Sequence, residues 1–182
     1  MGEIVHLIGF TWGIGGVIAL LLFAVYRLLP MAMDLSELYL NGWHWLALLF
    51  SIVYMAYAEG YQGFHKGFAP RVVIRATYLR NHPRLLHVLL APFFCMGFLY
   101  ATRRRLVLSY SLTLMIVVLV TIVRLLPQPW RGIVDAGVVT GLFLGVCSIV
   151  YFLVQSVTAP ERMTLSAEVP AENSSSIETN SE

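Results

Sequence analysis

The sequence predicts an all-α integral membrane protein, a small polytopic helical bundle of four to five membrane segments with a short amphipathic cytoplasmic helix. Two observations carry that expectation. The 182-residue chain is 58% hydrophobic and 12% charged, well outside the soluble norm of about half apolar and about a quarter charged. Its apolar residues also fall in long runs, at 7–26, 43–58, 106–123 and 133–157, comparable with the roughly 20 residues that cross a hydrocarbon core as a helix.

Ten acidic residues against twelve basic ones conceal a segregation. Glu161, Glu168, Glu172, Glu178 and Glu182 all fall in residues 158–182, a stretch rich in Ser, Glu, Asn and Pro with too little apolar content to fold alone. It is expected to be a disordered acidic tail behind a transmembrane domain of residues 1–157. That domain carries eleven basic and five acidic residues, a net charge of +6. Its positive charges flank the apolar runs, where they set orientation and meet anionic headgroups. Nothing in their arrangement indicates a nucleic-acid partner.

The N-terminal run lacks a basic leader and is longer than the apolar region of a secretory signal, so it reads as a retained first span, ending near Arg27 and Pro30. The connection after it carries Asp34, Ser36 and Glu37, as expected of a non-cytoplasmic loop. The second span opens on Trp43, His44 and Trp45, aromatic residues of the kind that sit at headgroup level. Residues 127–130, PQPW, form a tight turn that makes the last two spans an antiparallel pair.

Between the second and third apolar runs, residues 59–84 hold five of the twelve Lys/Arg residues. At about 100° per residue, Ala56, Gly60, Gly63 and Gly67 share one narrow face, beside a stripe of Tyr54, Tyr57, Tyr61, Phe64 and Phe68. The second helix is therefore expected to run on to Pro70, with Glu59 near the inner headgroup boundary. From Pro70 to His82 a surface helix is expected, with Arg71, Arg75, Tyr78 and His82 on one side and Val72, Val73, Ala76 and Leu79 towards the other.

Residues 85–102 are barely long enough to span, contain Pro92, and have arginines before and after them. As a span they would put seven Lys/Arg inside and five outside; as a re-entrant element, nine and three. The positive-inside bias favours the re-entrant form with both termini cytoplasmic, in the plasma (inner) membrane.

Candidate functional residues are few. Glu59 is the single acid between Glu37 and Asp135, and a carboxylate beside an apolar helix needs a cation or water. It either handles a proton or cation, with Lys66 as modulator, or forms a structural ion pair with Lys66 or Arg71. Asp135, four residues after Arg131 and across a turn from Arg124, either closes a local salt bridge or contributes to an ion site. Arg71 and Arg75 offer planar donor forks for phosphate or anionic lipid. Gly137, Gly141 and Gly145, with Gly9, Gly13 and Gly16 in the first span, allow close helix packing within the chain, or with a second copy or a protein partner.

No cofactor is expected: the five histidines form no ligand-spaced pair within a span, and Cys95 and Cys147 read as buried thiols without a disulfide framework or zinc site. Nucleophile and metal motifs such as GxSxG and HExxH are missing. The sequence therefore points away from an enzyme. It favours an accessory or assembly subunit acting through helix packing and a basic cytoplasmic surface, with a small proton- or cation-linked transporter or channel using Glu59 as the alternative.

Overall fold

The computed structural model describes residues 2–81, 89–99 and 103–158. All regular structure among them is helical. Helix α1 spans Gly2–Met33 and leads into a single 3-10 turn at Asp34–Glu37; α2 spans Gly42–Met55. A π-helix, π1, occupies Ala56–Phe68 and passes directly into α3, Ala69–Asn81. The short α4 covers Ala91–Met96, α5 covers Arg103–Leu125 and α6 covers Trp130–Thr158. Two stretches, Ile8–Glu37 and Trp130–Thr158, are long and apolar enough to cross a membrane, with mean hydropathies of 2.2 and 2.3.

Helix α6 is the common neighbour, packing against α1, α2, π1 and α3. The starts of α2 and α6 are level, because the His44 ring meets Trp130 edge-on at 5.3 Å. Asn41 and His44 fix that start through reciprocal side-chain and backbone bonds, a capping box that satisfies N–H groups left over at a helix N-terminus. At the opposite end a core gathers Ile14 and Val17 of α1, Val72, Ala76 and Leu79 of α3, Phe94 and Cys95 of α4, and Ile149 of α6.

Helix α3 differs from the expected surface helix. Val72, Val73, Ala76 and Leu79 are fully buried and Arg75 is 3% exposed, because α4 and α1 pack over it. Nor does the chain break at Pro70. The Ala69 N–H bonds the Phe64 carbonyl five residues back, and the helical path continues through Pro70, near the start of α3, where a missing donor is tolerated.

Within residues 85–102 the described part is a helix of only six residues. Pro92 lies in its first turn and so starts the helix rather than breaking it. Gly97, at φ 84°, ends it in the left-handed conformation that glycine adopts without a Cβ penalty. The flanks 85–88 and 100–102, like the expected tail at 159–182, lie outside the described residues.

Gly13 and Gly16 of α1 receive α4 instead of the glycines of the last helix. A Cβ on Gly13 would come within 2.8 Å of the Cys95 sulfur, and one on Gly16 would overlap Pro92. Helix α5 packs lightly, although a tight turn joins it to α6. Among its described side chains only Ser109 and Val123 are buried, while Val107, Leu114, Met115, Ile116, Val117, Val118 and Ile122 lie exposed.

Candidate functional site

The π-helix sets the geometry around Glu59. In an α-helix a residue five positions on points about 140° away, whereas the wider π turn, closed by i→i+5 bonds, returns it near the starting face. The winding shows at Ala69, whose N–H bonds the Phe64 carbonyl five residues back; beyond the helix's own backbone within four residues, a Cβ on Gly63 or Gly67 would first meet the carbonyl oxygen of Ala58 or Gln62, again five residues back. Glu59 and Phe64 consequently both face α6. A Cβ on Gly141 would lie 3.0 Å from Glu59 Oε2, and one on Gly145 would lie 2.7 Å from the Phe64 ring.

This winding revises the glycine face expected from α-helical phasing. Gly60 is buried against Leu144, but Gly63 is exposed and Gly67 meets only its own helix. The Gly137, Gly141, Gly145 face of α6 is closed by Ser51, Met55, Glu59 and Phe64 of α2 and π1. Ser148 continues the same stripe three residues later, a position the glycine count passes over. Its hydroxyl lies 3.3 Å from His65 Nδ1.

The Glu59 carboxylate is half-buried and sits near the middle of the 29-residue α6, opposite Gly141. Neither expected cation reaches it. Lys66 Nζ lies 4.7 Å from the centre of the Tyr61 ring, and no ion pair joins Arg71 to Glu59 among the described residues.

Aromatic rings form a ladder along π1. Tyr57 stacks on Tyr61 at 6.1 Å and Tyr61 on His65 at 5.8 Å, and His65 then meets Phe152 of α6 at 5.1 Å. Beside this ladder, Ala56, Gly60, Tyr61, His65, Leu144 and Ser148 line an open cleft of about 420 Å³.

The remaining candidates lie elsewhere. Arg75 donates from Nε to the Phe94 carbonyl and from Nη2 to the Leu99 carbonyl, both at 2.7 Å, and its guanidinium lies 4.5 Å from the centre of the Phe94 ring. It is therefore a buried clamp on the C-terminal end of α4, not part of a lipid-facing basic surface. Asp135 pairs with Arg131 at 3.7 Å, a separation too long for a hydrogen bond, and the facing atoms have no hydrogen-bond partner. Arg124 is exposed and stands apart from this pair. The six candidates thus divide among four elements, Glu59 and Lys66 on π1, Arg71 and Arg75 on α3, Arg124 on α5 and Asp135 on α6.

His44 serves the α2 cap and His65 the contact with Ser148; the side chains of His6, His82 and His87 lie outside the described residues. No group of three or more potential metal ligands is found among the described residues. Comparison with known proteins gives no match: no family model fits the chain, and no curated protein or solved structure is significantly similar to it.

Proposed function

We propose that this chain is a polytopic membrane protein that handles a proton or a monovalent cation at Glu59, as a small transporter or channel without catalytic chemistry. One observation carries the reading. A carboxylate stands on Gly141, near the middle of an apolar helix, with no cation paired to it among the described residues. An ionised group at such depth is costly unless an ion or water compensates it, so intramembrane acids are characteristic of ion and proton pathways. The long π-helix bearing Glu59 adds support, since π segments are rare and concentrate at functional sites.

In this reading α1, α2 with π1, α5 and α6 cross the bilayer of the plasma (inner) membrane. Helix α4, ended at Gly97, is the re-entrant element, surrounded by α1 and α3 as non-spanning backbone at membrane depth requires. Both termini are cytoplasmic. Tyr39, Trp43 and Trp130 then form the outer aromatic belt, and Arg27, Arg124 and Arg131 are the only basic residues outside.

The test is cation-driven or pH-gradient-driven flux in proteoliposomes. Glu59→Gln is expected to abolish flux while the protein still folds, and Glu59→Asp to retain part of it. Undiminished flux in Glu59→Gln, or no flux above empty vesicles in the native protein, sinks the proposal.

A second reading, an accessory or assembly subunit, is favoured by α5. Its apolar side chains are exposed around most of its circumference, leaving a face for a partner's helix as well as for lipid. The closure of the glycine faces within the chain moves any such contact to α5. A stoichiometric partner that crosslinks to Leu114 or Val118 would support this reading, and a lone chain under the same extraction would count against it.

A further inference from the structure

We propose that the cleft between π1 and α6 binds one anionic phospholipid of the inner leaflet, with its phosphate at Lys66, its ester region at His65 and Ser148, and an acyl chain running along Gly60 towards Ala56. The inference rests on the membrane topology proposed above and not on ion handling by Glu59.

The cleft is polar at one end and apolar along its length. Ala56 and the bare backbone of Gly60 form the floor, and the Tyr61 and Leu144 side chains, 45% and 37% exposed, border the open side. A cleft of about 420 Å³ is within the roughly 300–1,000 Å³ range of small-molecule sites. Facing lipid, it would be filled by lipid.

At its polar end, His65 and Ser148 share one hydrogen bond. A neutral imidazole brings one donor and a hydroxyl another. Whichever tautomer is present, their mutual bond uses one donor and leaves one for a carbonyl or phosphate oxygen. Lys66 supplies the charge. Its ammonium lies over the face of Tyr61, a cleft residue, and makes no ion pair among the described residues.

Depth selects a phospholipid as the occupant. Ser148 follows Trp130 by eighteen residues of continuous helix, about 27 Å at ~1.5 Å per residue, against a hydrocarbon core of roughly 30 Å. With Trp130 at the outer interface, His65, Lys66 and Ser148 lie at the inner headgroup boundary, where the negative surface potential attracts basic side chains. The apolar part of the cleft extends from there into the hydrocarbon.

Native mass spectrometry of the full chain, extracted from vesicles of phosphatidylglycerol and phosphatidylcholine, tests the site. One phosphatidylglycerol is expected to stay bound per chain in preference to phosphatidylcholine, and excess inorganic phosphate is expected not to displace it. Occupancy should fall about fivefold in Lys66→Ala, the effect of one basic residue at an anionic surface, and recover in Lys66→Arg. Leu144→Trp, which fills the cleft without touching the charge, should lower it as well.

Equal retention of both lipids overturns the proposal, as does displacement by phosphate alone or unchanged occupancy in both Lys66→Ala and Leu144→Trp. Glu59→Gln separates the two ideas. It should keep the lipid whether or not flux is lost, and loss of the lipid in that variant, if it remains folded, counts against a site at Lys66.

Discussion

Glu59 and Gly141 compete for one small volume: a Cβ on Gly141 would lie 3.0 Å from Glu59 Oε2 and 3.1 Å from its Cβ. Glycine is thus the seat of the carboxylate, and the side chain lies between two helices because α6 has no side chain there.

Gly141→Ala is therefore expected to displace Glu59 and lower stability by about 1–3 kcal/mol, the usual cost of overpacking a tight contact. Thermal unfolding in detergent measures it. In a Glu59→Ala background the same substitution should cost less, since Oε2 is gone and only the Cβ contact remains. Equal costs in both backgrounds would show that the two residues do not share this space.

Arg75 is expected to be intolerant of change. Arg75→Lys keeps the charge but cannot serve two carbonyls in the planar geometry that Phe94 and Leu99 receive, and should destabilise the fold by about 2–3 kcal/mol. Limited trypsin digestion should then cut faster at the arginines of 103–105. Wild-type resistance in this variant would mean that the clamp on α4 contributes little.

Lys66→Ala should leave thermal stability in lipid-free detergent within about 1 kcal/mol of the native value, the contribution of an exposed cation–π contact. A much larger loss would imply that Lys66 supports Glu59 after all. That outcome would restore the ion pair expected from the sequence.

The Arg131 and Asp135 pair should respond unequally. The Asp135 side chain is 6% exposed and that of Arg131 is 30% exposed, so Arg131→Leu leaves the more deeply buried charge alone. It is expected to cost about 3 kcal/mol, and Asp135→Leu to cost less because the guanidinium still reaches solvent or headgroups. Unfolding of both single variants and of the double variant measures the difference, and a reversed order would refute it.

The long helices were legible in the sequence because their cause is local: α1, α5 and α6 are apolar runs bounded by arginine and proline. The extension of the second helix past Ala58 was legible for the same reason. Its winding was not, since glycine and aromatic spacing on an α-helical wheel gave Gly63 and Gly67 a packing role that π geometry removes. The burial of α3 was hidden too. Its Val and Ala positions fit an amphipathic surface helix equally well, and only the packing of α1 and α4 over it decides which side is covered.

The site was half legible. A lone acid among apolar residues drew attention to Glu59, but its seat on Gly141 and its separation from Lys66 depend on the π register. His65 and Ser148 carried a weak signal. Ser148 lies three residues past Gly145, off the four-residue spacing of Gly137, Gly141 and Gly145 though on the same face, while a single histidine beside an aromatic stripe has no distinctive neighbour in sequence.

The unbroken helical path from Gly42 to Asn81 works as a single shaft, and π1 is its coupling. If π1 rewound as an ordinary helix of the same length, Phe64 would turn about 140° from the face it shares with Glu59, and everything beyond it would turn as well. Phe64 would leave Gly145, and at the far end of the shaft Arg75 would swing away from the carbonyls it holds. The angular setting of π1 therefore determines, some way along the chain, whether α4 stays docked.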